Sequence, residues 1–442
     1  MQMNIRKESL YMDTNTLKNR IRTEVRSFFE EVGKADETVY LVLLTLHEVL
    51  ALYLKIAWSA NVEKPMDAVR YGILGIMMWG SAAYLFFIIA SWKDLWKKNV
   101  PLIFTGAVII ALTALFSRRM STNLYGVVMD IFFILIAYKK DYRKMLRCIL
   151  GAAAVMLLIA GLGIAAGFTM DVKKPLNVSP GHSLGINYPN TWGYIAFLVM
   201  LLAWYLYLRR KWILTFLLFW TVSAFMYFYI SCRTITGFSL IFPFFAVVTD
   251  LLEAKSRTAG KQNKVIRWLV ILIPFIAFAV MMTLSMNYIW VHKHFYYTAL
   301  HNFAMRFVQG GLYFKTYGFP LVGNPYRSNQ ITFVNVNDSF EKVGILDSSF
   351  AAYIIMRGVI WMTCVLLWLC LAHWKALKKK DFAIPLIETF ILLFAMMERP
   401  GLDMWYNFIL LYPLAKVTEK ASTEKPLEFD AVIDEEPPAI ED

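Results

Sequence analysis

Apolar residues run almost unbroken through 39–57, 70–91, 99–116, 123–138, 145–168, 188–208, 212–230, 234–252, 266–290, 346–373, 382–397 and 400–416, with charges and turn residues between the runs. A helix needs roughly 20 apolar residues to cross about 30 Å of hydrocarbon, which most of these runs approach or exceed. The pattern predicts an all-α polytopic membrane protein with about twelve transmembrane helices, built from residues 39–416. Residues 291–345 are the exception. There Gly310-Gly311, Pro320, Pro325 and the aromatics Phe295, Tyr296, Tyr297, Phe303, Tyr313, Phe314 and Tyr317 replace an apolar run. A connection of that length is functional or disordered, and its aromatic content argues for order.

The chain is 58% hydrophobic with a mean hydropathy of +0.51, more apolar than a soluble globule could hide. Its net charge of +13 would suggest a nucleic-acid partner in a soluble protein. Here Lys and Arg crowd into loops 92–98, 139–147, 209–211, 253–267 and 374–381 and are sparse in the alternating loops 58–70, 117–122, 169–187, 231–234 and 398–401. They therefore read as positive-inside topology signals, which puts both termini in the cytoplasm, makes 291–345 an outer loop and implies no nucleic acid. Residues 1–38 carry no apolar core of a cleavable leader. Leu17, Ile21, Val25, Phe28 and Val32 recur there at helical spacing, predicting an amphipathic helix lying on anionic lipid or packed on the membrane domain. Residues 417–442 are acidic and proline-bearing and read as a disordered cytoplasmic tail. Cys148, Cys232, Cys364 and Cys370 are scattered, which predicts neither a disulfide framework nor a metal site.

Candidate chemistry gathers where spans begin on the outer side, because a helix start directs unpaired N–H groups and a positive dipole end outward and so attracts anions. Arg233 lies at a tight junction between two apolar runs, where a charge calls for a partner or an anionic ligand, the alternative being a side chain that snorkels to the interface. Arg306 is a second candidate, with Arg327 and Lys315 behind it. Asp347 is either a general base or an N-cap of the following helix. His182 can move protons near neutrality, while Asn190 is a ligand contact or another cap. Glu398 shares a turn with Arg399 and is either a base or an arginine's partner. Within the runs, Glu48, Lys55, Asp130, Arg357 and Glu388 are unusual in lipid, with Arg357 and Glu388 a natural pair, and a proton-coupled transporter would want the same residues.

At these positions the sequence resembles the bacterial O-antigen polymerase and O-antigen ligase superfamily. SLGINYPNTWG at 183–193 is similar to that family's "LGF-HPN-G" stretch, and SCRTITG at 231–237 is similar to its "SRT" or "SRxG" motif. Arg306, YGFPLVGNPY at 317–326 and LDSSF at 346–350 follow in the family's order through the outer loop. The resemblance covers about 181–365. Tyr188 replaces a frequent histidine, Cys232 separates Ser231 from Arg233, and Ser348-Ser349 replaces Asn-Ser.

The resemblance implies a GT-C-like fold and a metal-independent glycosyltransferase without cofactor in the bacterial cytoplasmic membrane. Its substrate would be undecaprenyl-diphosphate-linked oligosaccharide, joined into capsule, exopolysaccharide or O-antigen, with a flippase and a chain-length regulator as partners. It assigns Arg233, Arg306, Asn190, Thr234 and Arg327 to the diphosphate and glycan, and Asp347, His182 and Glu398 to proton transfer. A ligase of the same fold and a twelve-span transporter or flippase are the competing readings.

Overall fold

The computed structural model describes residues 36–59, 62–91, 124–171, 181–258, 264–295, 301–323, 331–334, 340–343 and 346–417. The tails at 1–35 and 418–442, the run at 99–116 and Arg327 lie outside the described residues. The helices are α1 (36–53), α2 (Glu63–Ser91), α3 (Leu124–Ile136), α4 (Tyr142–Ala165), α5 (Pro189–Leu208), α6 (Trp212–Ile230), α7 (Arg233–Thr258), α8 (Lys264–Ile271), α9 (Ile273–Met286), α10 (Tyr288–Phe295), α11 (His301–Tyr317), α12 (Ser349–Arg357), α13 (Val359–Lys378) and α14 (Ala383–Met397). One antiparallel hairpin pairs β1 (Ile331–Val334) with β2 (Phe340–Val343), Ile331 opposite Val343.

Among the described residues, five helices (α4, α5, α6, the Arg233–Ser256 part of α7, and α13) are long and apolar enough to cross a membrane, and α8 with α9 makes a sixth if that bent pair is one span. The protein is thus a helical membrane protein, and its outside matches. Leu162, Ile213, Phe228 and Leu367 are all more than half exposed, as suits side chains facing lipid. Polar side chains turn inward: Glu48, Glu388, Asn407 and His373 are buried.

Three of the expected continuous spans take other forms. The run at 266–290 bends by 57° between α8 and α9, where Leu272 is the N-cap of α9 and Pro274 enters its first turn. The run at 346–373 is broken at Gly358, whose φ of +93° favours glycine and where a Cβ would stand 2.3 Å from the Leu321 carbonyl oxygen. The loop after α11 fills this break, since Val359 N donates to Pro320 O at 2.9 Å and Ile360 N to Leu321 O at 3.2 Å. The run at 400–416 is not a helix. It consists of 3-10 turns at Arg399–Leu402 and Phe408–Leu411 joined by irregular backbone, because Pro400, Gly401 and Pro413 interrupt helical hydrogen bonding. Non-helical backbone survives at membrane depth only when protein surrounds it, and Met404 to Tyr412 are all buried.

The expected Arg357–Glu388 pair is absent. Glu388 accepts from Asn407 Nδ2 at 3.2 Å, supplied by the irregular segment. The Arg357 guanidinium instead lies 4.1 Å from the centroid of the Tyr353 ring, one helical turn back. At one end of the bundle, Arg209 gathers Asp381 (3.2 Å), Asp250 (3.9 Å) and Glu253, with the Tyr205 hydroxyl also on Asp381 at 2.8 Å. These residues adjoin the basic loops 209–211 and 374–381. From Asp381, α14 runs through 15 residues, about 22 Å at 1.5 Å per residue, to Glu398 at the other end.

Candidate functional site

Four chain segments meet at that other end. Helix α11 presses on α9 and α10 because Gly311 faces Ser285 O, where a Cβ would come within 2.2 Å, and this holds Arg306 over the bundle. Asp347 precedes α12, Glu398 caps the carboxyl end of α14, and Tyr194 projects from the first turns of α5. Arg306 donates to Asp347, and its other terminal nitrogen stands 3.8 Å from Glu398 Oε1. The Tyr194 hydroxyl donates to Glu398 Oε2 at 2.5 Å. Tyr188 lies within electrostatic reach of Glu398, Asp347 and Arg306. The Ser349 hydroxyl donates to the backbone oxygens of Glu398 (2.6 Å) and Arg399 (2.7 Å), fixing the turn that carries the acid.

The environment tunes these carboxyls. Burial pushes Glu398 up to about 7, against the opposing pull of Arg306 and the Tyr194 hydrogen bond, with Asp347 adding to the rise. A helix carboxyl terminus also disfavours negative charge. Asp347 is raised as well, by burial, with Arg306 and Arg399 acting against it. A carboxyl near 7 is matched to accepting a proton at neutral pH.

Asp347 is not the helix cap. Ser348 occupies that position without a side-chain cap bond, and the Asp347 carboxylate is given to Arg306. Asn190 is not a cap either, since Tyr188 holds the N-cap position and Pro189 begins α5. His182 is built into a separate clasp. Its Nδ1 pairs with Asp171 Oδ2 at 2.5 Å, its ring stacks on Tyr229 at 4.3 Å, and Asp171 also accepts the backbone N–H groups of Ser183 and Leu184. Arg233 opens α7 with its side chain exposed, not buried between spans. Its neighbour Cys232 is buried within electrostatic reach of Glu398, which sets Arg233 at the same end of the bundle. Thr234 follows it, partly buried. Among the described residues, no ion pair or hydrogen bond joins Arg233, Thr234, Asn190 or His182 to Arg306.

The structure thus brings together Arg306, Asp347 and Glu398, and adds Tyr188, which stands at the histidine position of the motif at 183–193, and Tyr194, which carried no signal of its own within an aromatic-rich sequence. Among the described residues no group of His, Cys, Asp and Glu has metal-holding geometry. No protein-family model, curated protein or solved structure matches this chain.

Proposed function

We propose that the chain is a membrane glycosyltransferase that polymerises undecaprenyl-diphosphate-linked oligosaccharide repeat units on the outer face of the bacterial cytoplasmic membrane. On this reading the fold is GT-C-like with twelve crossings, the buried segment 400–416 counting as one. One observation carries the proposal: a buried carboxyl, Glu398, tuned near neutrality and held by Arg306 and Tyr194 beside Asp347, at the end of the bundle away from the basic loops. The ordered motifs at 183–193, 231–237 and 346–350 border the same end.

The chemistry is a displacement. An acceptor hydroxyl attacks the anomeric carbon, its proton passes to Glu398 or Asp347, and the bond from that carbon to the diphosphate breaks, with the electron pair leaving on the diphosphate. One positioned base contributes about 10² to 10⁴ in rate. The product keeps the lipid carrier at its growing end, and both termini lie in the cytoplasm.

A transport reading draws on two features, the break at Gly358 and the 57° bend between α8 and α9, since transporters use discontinuous helices. Purified protein reconstituted with a lipid-diphosphate oligosaccharide, followed by glycan sizing, separates the readings. A ladder of lengths is expected. A single transfer to a terminal acceptor indicates the ligase, and donor translocation without bond formation indicates the flippase. Glu398→Gln and Asp347→Asn are each expected to suppress the ladder while the protein accumulates normally. An unchanged ladder in both variants removes these residues from the reaction.

A further inference from the structure

Arg306 is poorly placed to hold an anion. It stands between two acids, donating to Asp347 and facing Glu398 at 3.8 Å, so a phosphate approaching it meets two carboxyls along with one guanidinium. Two other cations lie beside the cluster. Lys55 follows the end of α1, and its carbonyl accepts Asn187 N at 2.7 Å, which ties it to the strand of chain leading into Tyr188. Its ammonium lies 5.7 Å from the Trp405 ring centroid. Arg399 follows Glu398 directly. Its side chain is exposed, and its guanidinium donates to the Met356 thioether at 3.4 Å, a weak acceptor.

Lys55 and Arg399 lie within electrostatic reach of each other, and Arg399 within reach of Asp347. Among the described residues neither forms a direct ion pair with a carboxylate; Asp403 acts on Lys55 electrostatically, and its Oδ1 already accepts the Tyr353 hydroxyl. Lys55 lies over Trp405, in the irregular segment that Arg399 begins, so the two like charges act on each other, and an anion that both can share relieves the repulsion. A planar guanidinium grips two phosphate oxygens, while an ammonium adds a compact point charge.

We infer that Lys55 and Arg399 form the anion subsite, which takes a phosphate or diphosphate carried on a lipid, and that Arg306 is a positioning residue holding Asp347 and Glu398. The inference rests on the functional reading above and divides the site into an anion half and a carboxyl half. The scissile bond then lies next to Glu398, one residue along the chain from the group that neutralises the leaving charge.

The test uses the full chain in lipid nanodiscs and a short prenyl diphosphate as probe, followed by calorimetry. Lys55→Met and Arg399→Gln are each expected to weaken binding about tenfold or more, the loss of one charge-assisted contact. Arg399→Lys, which keeps the charge but loses the two-pronged grip, is expected to weaken binding less than Arg399→Gln, and Arg306→Gln is expected to stay within about threefold of wild type. Competition by inorganic pyrophosphate supports a diphosphate subsite, whereas equal competition by phosphatidylglycerol marks a general headgroup site and overturns the assignment. Wild-type affinity in Lys55→Met and Arg399→Gln, with binding lost in Arg306→Gln, overturns the inference alone. A wild-type protein that binds no prenyl diphosphate overturns the functional reading and this inference with it.

Discussion

Arg306→Gln probes the electrostatics of the site through the Glu398 carboxyl. At the 3.8 Å separation of Arg306 Nη2 and Glu398 Oε1, two unit charges attract by about 4 kcal/mol at an effective dielectric of about 20, and by half that at twice the dielectric. Arg306 and Glu398 side chains are 24% and 8% exposed, so solvent screens the pair only in part. With about 1.4 kcal/mol per unit of pKa, removing the guanidinium raises the Glu398 pKa by about 1.5 to 3 units from its wild-type position near 7. The sign follows from what the cation favours: Arg306 stabilises the carboxylate, so its loss favours the protonated acid. Infrared titration of the protonated-carboxyl band, with Glu398→Gln as the subtraction reference, reads the midpoint directly and needs no catalytic activity. A midpoint that stays near 7 in Arg306→Gln, or falls, refutes the coupling on which the site is built.

Glu398 also leaves a signature in stability. Its carboxyl is raised from 4.5 to about 7, so the stability tied to its bound proton is complete below 4.5 and lost as pH rises through about 7; Glu398→Gln should flatten that fall in Tm, by about 3 kcal/mol across the window. Gly358→Ala forces a Cβ against Leu321 O and a non-glycine residue to φ +93°, which should cost about 2 kcal/mol or more and free the loop after α11 to proteolysis between 318 and 323. Arg209→Met strands Asp250, Glu253 and Asp381 around an empty centre, and should cost about 3–5 kcal/mol, seen as lowered Tm or failed accumulation.

The membrane helices were the legible part of this fold. Tyr142–Ala165, Pro189–Leu208, Trp212–Ile230 and Arg233–Ser256 coincide with apolar runs, because so long a run has few alternatives to a helix in lipid. Residues 400–416 misled for a physical reason: hydropathy measures apolar content and is silent on whether the backbone bonds within its own helix or depends on neighbours. The two acids and the cation of the site were visible singly, Asp347 and Glu398 as charges near the ends of apolar runs and Arg306 within the long loop. Their mutual contacts were not, since Arg306 and Asp347 are 41 positions apart and meet through the packing of α11 on α9, α10 and α12. Tyr194 was hidden because an aromatic in an apolar run looks the same facing lipid or facing an acid. Of the two roles open to Asp347 in the sequence, the cap falls away because a guanidinium outbids backbone N–H groups for the same oxygens.

The stretch from Arg399 to Lys416 bonds to itself in short turns, Asn407 N to Asp403 O at 2.8 Å among them, and leans on its surroundings for the rest: Trp368 Nε1 donates to Leu410 O at 2.8 Å, Lys375 Nζ to Tyr412, Pro413 and Ala415 carbonyls at 2.6–3.0 Å, and Lys139 N to Leu414 O at 3.0 Å. Such a polypeptide has no stable residence in hydrocarbon before its hosts are in place. Biogenesis must therefore complete the cavity formed by α3, α13 and α14 first and thread the C-terminal stretch into it last, so that the turn bearing Glu398 is drawn into position by the closing step of assembly.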